Sequence, residues 1–440
     1  MKKEKQGFPL LYPNAAGIDI SSKEHYVAIN PGLHEECIKR FGSFTADLIS
    51  LSKWLTDNHV DTVAMEATGI YWVSLYLILE EAGFDVVLVN AKHVKNVRGK
   101  KTDIKDAEWI RQLHSCGLLS NSFQPDAYIR TLRTYMRHRK NLLEMAATHI
   151  RMMQKALEQM NIKLHTVIAD ITGKSGQAII HAILGGERNP ASLIQLLDGR
   201  IKANRDDVRK SLEGIWKEEH IFELRQSYDL YHYYRSKIDL CDLKIQSHLN
   251  QKSGSTQSIE IEEKKRLSKS NKNNLNFDAR QILYHITGTD LTRIYGITDT
   301  NALEIISEVG LNMTKWPTVK HFTSWLHLAP NNRISGGKLL SSKTGRKKNK
   351  AGQIFKMAAF AVQRGNHWLS AFYHRIKMKA GTPKAIVATA RKIAVIFYKL
   401  MKEKTSFNPV NIEQYAASSK EYQIKRLRKQ AQKLGLSLTS

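Results

Sequence analysis

Cysteine is scarce in this chain: three in 440 residues, Cys37, Cys116 and Cys241, far apart and in no CxxC pair. That spacing excludes a disulfide framework and a zinc knuckle, and it fits a reducing compartment. No apolar run approaches the ~20 residues needed to span a bilayer. The N-terminal MKKEKQGFPLLYP begins basic but lacks the apolar stretch and small-residue cleavage site of a signal peptide. A cytoplasmic protein is therefore expected. Acidic residues are the other shortage, 41 Asp+Glu against 68 Lys+Arg, for a net charge of +27. The deficit is local. From Lys338 to Ser440 there are 23 basic residues and only Glu403, Glu413 and Glu421, so this stretch carries +20 and the rest of the chain +7. So one-sided a segment repels itself unless it meets a polyanion, which makes nucleic acid the expected partner.

What is present is enough apolar residue, 42%, to build cores, and a length that suggests two or three domains at ~150 residues each. Residues 14–30 read as two β-branched strands joined by a polar turn, with a third strand at Cys37–Phe41. A helix over Asp47–Asn58, a strand at Thr62–Met65, a helix over Gly69–Ala82, a buried-type strand at Phe84–Asn90 and a helix over Asp103–Cys116 follow. Three strands and then alternation predict a mixed sheet with helices on its faces. From Ile129, apolar residues recur at steps of three and four: Leu132, Met136, Leu143, Ala146, Ile150, Met153, Leu157, Met160 and Leu164, with Arg139 out of character on the seam. That repeat predicts a coiled coil, either a helical hairpin with Ile221–Leu249 as second arm or a contact between protomers.

Residues 251–277 have linker composition. Ile282–Gly310, with Gly296 before an apolar helix, resembles a helix-hairpin-helix, and a purely structural helical hairpin reads equally well. Helices are predicted over Ile354–Gln363, Leu369–Lys379 and Ala385–Lys402, with a basic amphipathic stretch at Glu421–Leu434. The expected organisation is an N-terminal domain over 10–125, a helical region over 126–250, the linker, a mostly α-helical C-terminal domain over 278–405 and a basic tail helix over 406–440.

Four carboxylates sit where chemistry is expected: Asp19 in the first strand, Glu66 after an apolar strand, and Asp103 and Asp106 at i and i+3 on one helical face. Clustered like charges are costly, and a divalent cation removes the cost; oxygen donors suit Mg²⁺ or Mn²⁺. Two such ions can hold the attacking and leaving oxygens of a phosphoryl displacement.

The order Asp, Glu, Asp-x-x-Asp on an RNase H/RuvC-like α/β layout resembles the DEDD transposases of a bacterial insertion-sequence family. The resemblance is carried by GIDIS (17–21), MEATGIYW (65–72), KTDIKDAEWI (101–110), SEVG (307–310), SWLHLAP (324–330), NRISGGK (332–338) and ATARKIA (388–394), and it spans essentially the whole chain. It implies a RuvC-like domain, a coiled-coil dimerisation segment and a C-terminal transposase domain with a serine nucleophile, here Ser335. It further implies a recombinase guided by a structured bridge RNA, acting on donor and target DNA, with the two motifs meeting across protomers in a tetramer built from dimers.

An unactivated serine is a poor nucleophile and needs a base, a metal or a charge that stabilises the electrophile. Ser335 lies between Arg333 and Lys338, with Gly336 and Gly337 leaving room for a phosphate. The basic loop that follows adds Lys343, Arg346, Lys347, Lys348 and Lys350 as candidate nucleic-acid contacts. Ser341 and Ser342 are rival hydroxyls without an adjacent glycine pair. A water-using, metal-dependent structure-specific nuclease and a non-catalytic nucleic-acid-binding protein are the competing readings.

Overall fold

The computed structural model describes residues 9–32, 36–90, 103–253, 272–345, 349–408 and 412–433. The chain divides into two compact units, Met1–Gln124 and Pro125–Ser440. Among the described residues no helix is long and apolar enough to cross a membrane.

The first unit is built on a five-stranded sheet of order β3-β2-β1-β4-β5. Strands β1 (Ala15–Ile20), β2 (Glu24–Ile29) and β3 (Ile38–Gly42) form an antiparallel meander; β4 (Thr62–Glu66) and β5 (Asp85–Val89) add in parallel on the other side of β1. Helices α1 (Thr45–Asp57), α2 (Trp72–Glu81) and α3 (Asp103–Ser115) complete it. The period-2 alternation of the strands sorts side chains between two faces. Ile18, Val27, Ile29, Val63, Met65 and Leu88 meet Leu51 and Leu55 of α1 and Leu75 and Leu79 of α2 in one core. On the opposite face Ala64 and Val89 meet Ile110 of α3 in a smaller one. This mixed α/β sheet, followed by mostly helical structure, is the expected layout.

The second unit opens with two long helices, α4 (Ala127–Gln159) and, after four short helices α5 (Leu164–Val167), α6 (Lys174–Leu184), α7 (Pro190–Leu193) and α8 (Arg205–Ser211), α9 (Glu218–Ser253). They lie antiparallel: Tyr128 stacks on His248, and His149 on Tyr234. Their buried stripes, including Ile129, Leu132 and Met153 on α4 and Leu224, Ile238 and Ile245 on α9, pair within one chain. Leu142 takes the buried place expected for Leu143, and Leu164 lies beyond the helix in α5. Arg139, the misfit on the seam, is buried and ion-paired with Asp242 of α9; it also donates to the carbonyls of Asn273 and Asn274 at 3.1 and 2.8 Å. The Asn276 N–H donates to Asp242 in turn. The linker-like composition of 251–277 therefore has two different fates. Residues 272–277 are fastened to the helix pair, with Leu275 and Phe277 buried, while 254–271 lie outside the described residues.

Beyond it come α10 (Ala279–Thr287), α11 (Asp299–Val309), α12 (Val319–Trp325), α13 (Lys350–Val362), α14 (Trp368–Ala380), α15 (Thr382–Glu403) and α16 (Ile412–Lys433). Their core is aromatic: Phe322, Phe355 and Phe397 pack ring to ring. Gly296, the glycine of the helix-hairpin-helix resemblance, has φ +83°, and a Cβ there would lie 2.5 Å from the Ala358 carbonyl of α13. Its lack of a side chain serves helix packing. A short antiparallel hairpin, β6 (Arg333–Ser335) and β7 (Lys338–Ser341), stands between α12 and α13 in sequence.

Candidate active site and nucleic-acid surface

In the first unit, the position of α3 decides which groups can meet. The His114 ring lies 2.9 Å from the Thr62 hydroxyl, at the start of β4. One helical turn and more earlier, the α3 backbone passes directly over Gly17 in the middle of β1. A Cβ on Gly17 would sit 2.2 Å from the Arg111 nitrogen and 2.5 Å from the Ala107 oxygen. The helix therefore runs against the direction of β1 and β4, with its first turn, which holds Asp103 and Asp106, toward their C-terminal ends. Ile18 is opposite Met65 in the parallel register, so Asp19 and Glu66 follow side by side where the two strands end. By alternation they share the face of Gly17 and Ala64, the face that α3 covers. All four carboxylates thus lie toward one end of one sheet face. Asp19, Glu66 and Asp106 are half-buried and Asp103 is exposed. Glu66 accepts a hydrogen bond from the Thr68 hydroxyl at 2.9 Å. Among the described residues the side chains are not drawn into a group of three or more that could hold a metal ion. As a donor set they fit a hard divalent cation, being all carboxylate oxygen with no histidine or thiolate.

Ser335 closes β6, opposite Lys338 across a two-residue turn. Gly336 and Gly337 have φ of +54° and +72°, the stereochemistry of a type I′ hairpin turn, which disfavours side chains at both positions. What the sequence suggests as a phosphate-holding loop is thus a hairpin tip, and its glycines are fixed by the turn. Ser335, Arg333 and Lys338 are all exposed. The base of the hairpin is tied by a bridge between Pro330 and Thr344 and by the Asn331 N–H donating to the Lys343 carbonyl at 3.0 Å. Lys343 is exposed two residues beyond the end of β7. Lys350 stands apart, in the first turn of α13. Burial lowers its pKa, and Arg137 adds to the effect while Glu308 opposes it, so its ammonium belongs to the charge cluster at the α4–α11 contact. Arg137 makes a two-pronged pair with Glu308 there, and Arg133 donates to the Ser307 and Glu308 carbonyls. Arg346, Lys347 and Lys348 lie outside the described residues.

Three basic residues of α15, Lys384, Arg391 and Lys392, have no role in the sequence reading, although the last two lie within ATARKIA (388–394). Their spacing of i, i+7 and i+8 puts them on one helical face, a signal readable once the helix is accepted.

Residues 16–162 match a family model for DEDD transposases, and residues 288–374 match the Transposase IS116/IS110/IS902 family. The chain belongs to this transposase family. No curated protein matches it. The first match contains Asp19, Glu66, Asp103 and Asp106; the second contains Ser335 with Arg333, Lys338, Lys343 and Lys350. The transposase is thus an enzyme that acts on DNA, with its acidic and hydroxyl-bearing motifs in separate matched regions.

Proposed function

We propose that this transposase recombines DNA through a covalent serine–DNA intermediate, with Ser335 as nucleophile, and that a structured bridge RNA chooses the donor and target sites. What supports the reading is two features together: four carboxylates placed toward one end of the α3 face of the sheet, and a serine at the tip of an exposed, basic hairpin. The Ser335 Oγ gives up its proton and attacks a backbone phosphorus; an Oγ–P bond forms, a P–O ester bond of the DNA breaks, and the departing DNA oxygen takes up a proton in turn and leaves as a hydroxyl. Attack by a second DNA hydroxyl reverses these changes, returns the proton to Ser335 and rejoins strands. The phosphodiester energy is kept throughout, so no nucleotide is consumed. Arg333, Lys338 and Lys343, exposed around the hairpin, neutralise the phosphates of the strand presented to Ser335. Asp19, Glu66, Asp103 and Asp106 would hold Mg²⁺ or Mn²⁺, which supplies charge to stabilise the phosphate and the leaving oxygen. The working form is a homo-oligomer, a dimer or a tetramer.

The test is denaturing gel electrophoresis of labelled DNA incubated with the protein, its co-purifying RNA and Mg²⁺. A slow-migrating protein–DNA species is expected. Ser335→Ala should remove it while leaving DNA and RNA binding in place, and an adduct that persists overturns the serine assignment. Glu66→Gln or Asp103→Asn should abolish strand cleavage. Freely nicked DNA without an adduct would instead mark a water-using nuclease.

A further inference from the structure

The hairpin does more than display Ser335. Its β7 strand forms one wall of an open groove of about 1290 Å³, whose other wall is the N-terminal half of α15. Four cations line it, Lys343 from the hairpin side and Lys384, Arg391 and Lys392 from the helix, and among the described residues no carboxylate does. Between the cations the lining is apolar: Leu339 and Leu340 on β7, Val387 and Val395 on α15, and Phe372 of α14 below. Leu339 and Leu340 are 58% and 68% exposed, so this apolar wall is open to solvent. The Lys392 ammonium lies 5.8 Å from the Phe372 ring centroid, so charge and aromatic surface are presented together.

The charge pattern calls for an extended polyanion. Lys384 and Arg391 are seven residues apart on one helix, ~10 Å along its axis at about 1.5 Å per residue, a span that exceeds a single phosphate. The apolar walls narrow the choice further. A duplex offers phosphates on its outside while its bases stay stacked, which would leave the leucines unmatched. A single strand offers both phosphates and unstacked base faces, the combination that cationic grooves with apolar platforms bind. We propose that the groove between β7 and α15 holds a single-stranded DNA segment, with Lys343, Lys384, Arg391 and Lys392 on its phosphates and Leu340, Val387 and Phe372 against its bases. Because β7 leads straight back to the Gly336–Gly337 turn, a strand seated there is delivered toward Ser335. The proposal rests on the chain's acting on DNA; it does not depend on the serine chemistry.

The experiment is an anisotropy titration of the full-length protein with a fluorescent 15-mer of deoxythymidine in EDTA, so that no cleavage enters the reading. The double variant Lys384→Gln/Arg391→Gln should bind at least tenfold more weakly, and its log K against log salt slope should flatten by about 1.4, at ~0.7 per lost phosphate contact on a single strand. Leu340→Ser, a change at an exposed position that leaves the core intact, should weaken binding at least threefold. A 15-base-pair duplex should lose less than twofold to either variant. Unchanged single-strand affinity in both variants overturns the proposal, and so does an equal loss for single strand and duplex. Displacement of the oligonucleotide by an equal length of poly-glutamate as readily as by unlabelled strand would overturn it in favour of an acidic protein segment. A chain that gave no serine adduct could still pass or fail every one of these titrations.

Discussion

A glycine in the middle of β1 sets how closely the acidic face can assemble. Gly17 lies against the α3 backbone so tightly that any Cβ would fall 2.2 Å from Arg111 N and 2.7 Å from Arg111 Cα, atoms that cannot move without the helix. Gly17→Ala should therefore push α3, and with it Asp103 and Asp106, away from Asp19 and Glu66. The expected cost is ~1–3 kcal/mol in denaturant unfolding, with strand cleavage lost more severely than DNA binding; wild-type cleavage in a folded Gly17→Ala protein would sink this account. The other end of the same helix gives a pH prediction. Burial lowers the pKa of His114, with the Asp85 charge offsetting it only in part, and burial also lowers that of His25. A histidine neutral in the fold but protonated when unfolded makes the unfolded chain bind more protons, so stability rises with pH. The contribution is complete above the ordinary value of 6.5 and is lost as pH falls through the lowered native value. Thermal melting at pH 5.5 and 7.5 should show a smaller difference for His114→Gln than for wild type, with His25, His149, His232 and His367, whose pKa values burial also lowers, keeping a residual. The sequence displays GIDIS and the acidic residues around it plainly, but it gives no sign that Gly17 is a contact point, because that depends on which helix crosses the strand.

At the scale of elements, the regular parts of the chain were legible and the exceptions were not. Strands and helices of the first unit fall within a few residues of their expected bounds because helices cover both faces of the sheet, so the central strands stand out as short apolar runs. The 3–4 repeat from Ile129 likewise marked a real apolar stripe, which α9 covers from within the chain. Arg139 interrupts that repeat for a reason 103 residues away, the carboxylate of Asp242. Such a long-range partner cannot be read from local spacing. The hairpin is hard to read for the opposite reason: it is short and wholly local, and Gly-Gly between RIS and KLLS fits a two-residue turn as well as a phosphate-holding loop. The Arg139–Asp242 pair makes a prediction of its own. Asp242→Ala leaves a guanidinium buried against two carbonyls and should cost ~3–5 kcal/mol, whereas Arg139→Met/Asp242→Leu should lie close to wild type. Urea unfolding of wild type, both single variants and the double variant measures the coupling. If Asp242→Ala unfolds at the wild-type midpoint, the pair does not hold the helices and the 272–277 segment together.

Across the whole molecule, the +27 charge is divided in a way that matches the chemistry of its parts. The unit of the carboxylates, residues 1–124, is close to neutral, with 14 Lys+Arg against 15 Asp+Glu, so DNA grip must come chiefly from the +20 segment after Lys338, which contains the hairpin return, α13, α14 and the groove face of α15. Two kinds of contact then contribute to affinity, and salt separates them. Each phosphate neutralised on a duplex steepens the slope of log K against log salt by about 0.9, so six contacts would lose roughly a thousandfold between 50 and 200 mM salt. Apolar contacts to unstacked bases are not screened in this way. For the full chain, duplex binding should therefore fall steeply across that range, while a single strand should fall less steeply, since its slope per phosphate is only ~0.7 and its base contacts persist. Filter-binding isotherms at four salt concentrations with matched single and double strands give both slopes directly. Equal slopes for the two ligands would mean that the basic segment acts as an undifferentiated cationic surface, and the division of labour between its exposed lysines and its apolar groove would have to be abandoned.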